Sequence, residues 1–210
     1  MKVLNLYAGL GGNRLYWEDC QVTAVEINTE VALEYAGKFK GDFTYCEDAH
    51  KYLLDKYRDF DFIWSSPPCP THSKMMKATR HDIVDYPDMR LYQEILLLKH
   101  FFKGKWVVEN VVGYYDPLIP PTAKIGRHYF WSNFTITQID LPKIKDMSRA
   151  KREDMVEYLG MDYEGKIYLN GNHCPVQPLR NCVHPLLGKH IFNLARGIFE
   201  DNNKQQLKLL

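Results

Sequence analysis

Long hydrophobic runs are missing from this sequence. No apolar stretch approaches the roughly 20 residues that a helix needs to cross a bilayer, so a helical membrane span is excluded. An excess of either charge is also missing: 27 Lys and Arg stand against 26 Asp and Glu, a formal net charge of +1. Any affinity for a polyanion must then come from a local cluster of basic groups and not from the whole surface. Closely spaced cysteine pairs are absent as well. The five cysteines, Cys20, Cys46, Cys69, Cys174 and Cys182, are odd in number and show no CxxC spacing, and the opening MKVLNLYAG has no secretory pattern. The expectation is free thiols in a reduced, cytoplasmic setting. There is no internal repeat. Hydrophobic residues at 45% and charged residues at 25% are ordinary globular values, and 210 residues suit one domain, expected over 1–200 with 201–210 as a frayed tail.

What is present is an alternation of short apolar strands with helices. Lys2 to Tyr7 reads as a strand running into the glycine turn Ala8-Gly9-Leu10-Gly11-Gly12, with a helix expected after it. Val22 to Glu26 is a second strand, Thr29 to Phe39 a helix, Phe43 to Tyr45 a brief strand, 49–57 a helix and Phe60 to Trp64 a buried strand. A polar loop over 65–86 precedes a helix from Met89 to Phe102, with Leu91, Ile95 and Leu98 near its apolar face, and a strand at Trp106 to Val108. This rhythm predicts an α/β fold with a largely parallel sheet covered on both faces. From 128 onward the texture changes. His128 to Trp131 and Phe134 to Ile139 read as two strands joined at Ser132-Asn133, necessarily antiparallel because no crossover fits between them. A basic stretch from Lys143 to Glu153 leads to a short helix ending near Leu159-Gly160, and a last helix is expected from Leu186 to Glu200.

Chemistry-bearing residues gather at the carboxyl ends of the strands, where ligands of open sheets collect. The glycines of Asn5 to Gly12 let a ligand or a neighbouring segment approach the backbone, and without the full dinucleotide spacing they do not favour NAD. Glu26, at the tip of the second strand, is placed to accept from both ribose hydroxyls of an adenosine moiety. Asp48, with Ala49 beside it, is placed either to accept from an adenine amine or to cap the following helix. Ser65-Ser66-Pro67-Pro68-Cys69-Pro70-Thr71 confines one cysteine among three prolines, which presets the direction of its thiol. Glu109, directly after an apolar run, is an acid whose pKa would rise in a partly buried site, as protonating or hydrogen-bonding a ring nitrogen requires. His173-Cys174 with Cys182 and His184 offers two thiols and two imidazoles at awkward spacing for zinc, and no metal is expected.

Together these segments resemble the cytosine-C5 DNA methyltransferase family, from the first strand to about residue 199. Asn5 to Gly12 resembles its first motif, Glu26-Ile27-Asn28 its acidic second, Pro67-Pro68-Cys69 its PPC loop, Asp88-Met89-Arg90-Leu91-Tyr92 its helix-start motif and Glu109-Asn110-Val111 its ENV motif. Asp154 to Asp162 is similar to its penultimate motif, and Asn181-Cys182-Val183 with Pro185 to its last. The resemblance implies a Rossmann-like methyltransferase fold, mostly parallel with an antiparallel strand toward the C-terminal half, and S-adenosylmethionine as cofactor. Leu6, Tyr7, Gly9, Gly11, Gly12, Glu26, Ile27, Asp48, Ala49, Pro67, Tyr92, Asn181 and Val183 would line the cofactor site. It further implies Cys69 as a nucleophile toward C6 of cytosine, Glu109 at N3 and the exocyclic amine, and Arg127 at O2. Of the family's arginine pair only Arg127 has a match, the first position being Ile125.

A flipped cytosine in DNA is the implied substrate, and the loop over 70–86, carrying Lys74, Met75, Met76, Lys77 and Arg80, reads either as a lid over it or as a plain solvated loop. The recognition region common in the family is reduced here to about 140–180. Three outcomes stay open: a very short target read through 143–152, a partner protein that supplies recognition, or an RNA substrate. Compactness of this kind is typical of phage enzymes, and a monomer or weak dimer is expected. The remaining alternative is a regulatory nucleic-acid-binding protein that has lost turnover.

Overall fold

A computed structural model describes residues 1–69, 71–72, 86–165, 167–169 and 174–199. Seven strands form one sheet: β1 (Lys2–Leu6), β2 (Gln21–Val25), β3 (Phe43–Tyr45), β4 (Phe62–Ser65), β5 (Lys105–Val111), β6 (Ala123–Ile125) and β7 (His128–Ser132), in the spatial order β3-β2-β1-β4-β5-β7-β6. β1 to β5 are mutually parallel, while β7 runs antiparallel to both β5 and β6. The helices are α1 (Thr29–Lys38), α2 (Ala49–Lys56), α3 (Arg90–Phe101), α4 (Arg152–Leu159), α5 (Gln177–Arg180) and α6 (Pro185–Ala195). None is long and apolar enough to cross a membrane among the described residues.

Strands buried on both faces need apolar side chains at every position, and β1, β4 and β5 show near-continuous burial. Alternate residues feed two cores. Val3, Phe62, Trp64, Val107 and Phe130 pack with Leu187, Ile191 and Phe192 of α6, whereas Leu4, Leu6, Ile63 and Val108 pack with Leu53 of α2 and Leu91, Ile95 and Leu98 of α3. Neighbours of β1 lie on both sides, so the order of chain travel reverses between β1 and β4 and leaves a crevice at their carboxyl ends.

Three expectations need correction. No helix follows the glycine turn: residues 10–17 form consecutive turns, with Arg14 N donating to Gly11 O and Trp17 N to Arg14 O. Glycines tolerate these turns, and the segment is pinned from elsewhere. The Trp17 indole donates to Gly188 O at 3.0 Å, and the Asn5 and Asn13 amides pair inside the core.

Phe134 to Ile139 is not a strand. Both edges of β7 are already taken, by β5 and β6, so no ladder position remains, and Phe134 and Ile136 serve as core packing only. The partner that the sequence placed after β7 lies before it, at Ala123–Ile125. The last helix stops at Ala195, short of Glu200, because Gly197 takes a left-handed φ of +73° just past its end.

Candidate active site

The turn after β1 uses its glycines in three ways. Gly9 has φ +55° and a Cβ there would meet nothing closer than 4.0 Å, so it faces open space. At Gly11 (φ +78°) a Cβ would run into the rings of Tyr35 and Phe39, and at Gly12 it would come within 2.5 Å of Val183 O. Of the three, only Gly9 has room for a side chain; Gly11 and Gly12 permit close packing.

Glu26 accepts from Gly9 N at 3.0 Å through one carboxylate oxygen and from Asn28 N at 2.9 Å through the other. Each oxygen retains lone-pair capacity, so the half-buried carboxylate can still accept from two hydroxyls. Ile27 beside it is 65% exposed, an apolar surface open to a flat ring. Asp48 caps α2 by accepting from Lys51 N through Oδ1. Ala49 and Leu6 are packed in the core. These residues fit an adenosine-containing cofactor along the ends of β1, β2 and β3.

The cysteine loop is fixed from two sides. On one, the buried Asn110 of β5 donates its side-chain amide to Pro67 O at 2.9 Å. On the other, His72 N donates to Cys69 O, Tyr114 N donates to His72 O, and the buried His72 ring lies 2.6 Å from the Tyr115 hydroxyl. Cys69 is half-buried. Burial first, and the Glu109 carboxylate second, push its thiol pKa up, and the Arg127 guanidinium opposes them.

Glu109 projects from β5 on the face that carries Val107 and Phe130. Its burial raises its pKa to about 7, against the lowering influence of the Ser66 hydroxyl and Arg127. The acid and the thiol therefore share one electrostatic environment. Arg127 donates from one guanidinium nitrogen to Arg180 O and to Cys182 O at 3.4 Å, which anchors it beside the cysteine. Ile125, where the family's other arginine is expected, is buried in the core.

Residues 1–117, just over half of the chain, match the family described as C-5 cytosine-specific DNA methylase. This chain belongs to that family. It is thereby a DNA (cytosine-5-)-methyltransferase with S-adenosylmethionine as cofactor. The matched part of the methylase includes Cys69, Glu109 and the glycine turn, and it stops before Arg127, Asn181 and Val183.

No match is found among curated proteins. Solved structures similar to the methylase include a hypothetical protein of Thermus thermophilus (16% identity, TM-score 0.44, 62% of this chain and 73% of that one). A SAM-dependent methyltransferase of Agrobacterium tumefaciens is similar at 19% identity and TM-score 0.40, over 55% of this chain and 40% of that one. A putative DNA modification methyltransferase encoded in an Escherichia coli prophage is similar at 22% identity and TM-score 0.38, over 55% and 33%. The methylase thus spans less than half the length of the last two.

Other expected site residues of the methylase fall differently. Tyr92 is buried, with its hydroxyl donating to Tyr115 and accepting from Leu118 N. Asn181 is exposed at the end of α5 and accepts from Gln177, while Val183 is buried in the core against α6. Cys174, Cys182 and His184 are each committed to internal hydrogen bonds, the last with Leu186 N and Tyr158 O. His173, the fourth member of the group for which no metal is expected, the residues Lys74, Met75, Met76, Lys77 and Arg80 of the expected lid, and the tail 201–210 lie outside the described residues.

Sequence reading passed over Ser66, Glu94 and His128, and treated Asn110 only as part of a motif. Glu94 left a signal: it shares the helical spacing of Leu91, Ile95 and Leu98, so a charge stands where α3 turns inward.

Proposed function

We propose that the protein methylates C5 of cytosine in DNA through a covalent adduct on Cys69. The observation that carries this reading is the pairing of a thiol on a loop held at both ends with a buried acid poised near neutral pH. Cys69 forms a bond to C6 as its thiolate, which opens the C5–C6 double bond, and Glu109 in its protonated form donates to N3, where negative charge develops. A proton on Glu109 also removes the carboxylate that holds the thiol pKa up, so one protonation state serves both groups. Arg127 adds a fixed positive charge that favours the thiolate. Bound S-adenosylmethionine supplies an electrophilic methyl group on sulfur. After C5 has gained the methyl group, return of the N3 proton to Glu109, loss of the C5 proton to solvent and departure of Cys69 from C6 as thiolate restore the ring.

The target base must leave its stack to reach Cys69, at about a few kcal/mol for a duplex. Lys143, Lys145, Arg149, Lys151 and Arg152 supply an exposed basic stretch for phosphates. A second reading, RNA as substrate, is favoured by the short span between Arg127 and Asn181 and by the net charge of +1. One experiment separates them: labelled S-adenosylmethionine with duplex DNA, single-stranded DNA and tRNA, followed by mapping of 5-methylcytosine. Label in DNA and a 5-fluorocytosine-DNA adduct lost in Cys69→Ala are expected. Label in tRNA alone favours the second reading, and no label in any substrate with cofactor binding intact indicates a regulatory binding protein.

A further inference from the structure

Glu94 is completely buried on α3, and no step above uses it. Its Oε1 accepts from the Tyr7 hydroxyl at 2.6 Å and from His50 Nδ1 at 2.9 Å, and its Oε2 accepts from the Ser65 hydroxyl at 2.5 Å. The three donors come from three separate elements. Tyr7 is the residue after β1, Ser65 is the last residue of β4, and His50 lies in the first turn of α2, two residues past Asp48. β1 and β4 are the two strands that flank the crevice where chain travel reverses, and the cysteine loop begins directly after Ser65.

A carboxylate taken out of water is costly unless charged or polar partners surround it, and an apolar side chain on α3 would fill the same core position without that cost. Tyr7 adds a second, independent sign. Its φ of +56° is a conformation that bulky residues rarely adopt, and it persists where the surroundings over-determine it. The hydroxyl of that same residue is tethered to Glu94.

We propose that Glu94 is a positioning residue for the methyl donor. By tying the end of β1, the end of β4 and the start of α2 to one point, it sets the width of the cofactor crevice and its register with the Cys69 loop. The proposal rests on the assignment of that crevice to S-adenosylmethionine.

The test is calorimetric binding of S-adenosylmethionine to the full chain without nucleic acid, together with steady-state kinetics, for Tyr7→Phe, Ser65→Ala and Glu94→Gln. Tyr7→Phe keeps the ring and removes only the tether, so it carries the test should Glu94→Gln fail to fold. A hydrogen bond to a charged group corresponds to about tenfold in affinity, and that is the expected weakening in Tyr7→Phe, seen equally as a raised KM for the cofactor. KM for DNA and the melting temperature of the cofactor-free protein are expected to change little in this variant. The Tyr7→Phe/Glu94→Gln double variant is expected to bind no more weakly than Glu94→Gln alone, because both remove one shared interaction.

Cofactor affinity unchanged in both Tyr7→Phe and Glu94→Gln overturns the proposal. So does a loss of thermal stability without a selective rise in cofactor KM, which marks a purely structural role. Failure of the unaltered protein to bind S-adenosylmethionine overturns the cofactor assignment instead.

Discussion

His128 Nε2 lies 3.6 Å from Glu109 Oε1, with both side chains buried on the same face of β5 and β7. The two do not form an ion pair. Burial and the neighbouring Arg127 charge hold the His128 pKa down to about 3, so the ring is neutral near pH 7. Glu109 moves the opposite way, to about 7. Each group resists its charged form, and each therefore links stability to pH with its own sign.

For Glu109 the folded pKa lies above the unfolded value. The folded state holds the proton more tightly, and stability falls as pH rises from about 4.5 through about 7. Glu109→Gln is therefore expected to be more stable than the unaltered protein at pH 8, by about 2–3 kcal/mol, and nearly equal to it at pH 5. Urea unfolding at the two pH values checks this, and an equal difference at both would remove the buried acid from the account. Methyl transfer in the variant is expected to fall at every pH.

For His128 the folded pKa lies below the unfolded value, so its contribution is complete above about 6.5 and is lost as pH falls toward about 3. Below pH 6.5 the loss approaches ~1.4 kcal/mol per pH unit. His128→Phe is expected to show a shallower acid slope than the unaltered protein between pH 6.5 and 5. Parallel curves would show that the ring is protonated without cost.

Asn110 joins β5 to the cysteine loop through Pro67 O. Replacing it with Ala leaves a buried carbonyl without its donor, a cost of about 1–3 kcal/mol. It also frees the thiol from its set direction, for which about a hundredfold loss in turnover is expected, since small misplacements act on that scale. Single-turnover methyl transfer measures the effect. A variant with normal turnover and reduced stability would confine Asn110 to folding.

Gly12 and Gly9 are expected to part company on substitution. Gly12→Ala forces a methyl group within 2.5 Å of Val183 O and 2.7 Å of Cys182 Cβ, both in buried residues, so a loss of about 3 kcal/mol in stability is expected. Gly9→Ala meets open space and bears only the cost of its positive φ, about 1 kcal/mol, and the methyl group it adds to the turn is expected to lower cofactor affinity. Thermal melts with and without S-adenosylmethionine distinguish the two.

Much of this arrangement is legible in the residues. Apolar runs at Val3, Val22, Ile63 and Val107 mark parallel strands because burial on both faces leaves no polar alternation, and Pro67, Pro68 and Cys69 follow one of those runs directly. The β6 partner was not legible: Ala123, Lys124 and Ile125 make too short a run, whereas Phe134 to Ile139 alternates well and pairs with nothing. Pairing depends on which strand edges are free, and that is a property of the assembled sheet. Glu94 is betrayed by its helical spacing but its partners are not, and they, His128 and the different duties of Gly9, Gly11 and Gly12 were hidden for the same reason, since each is defined by a neighbour distant in sequence.

The contact between Gly12 and residues 182–183, with the Trp17 bond to Gly188, carries a consequence for biosynthesis. A ribosome that has exposed only the first hundred residues has released the glycine turn, the acid of β2 and the cysteine, yet none of the late segment that backs the turn or anchors Arg127. The turn after β1 is thus completed last, by residues made some 170 positions after it was begun. A nascent chain stalled before α6 is expected to hold Cys69, Glu109 and Arg127 and to be inert.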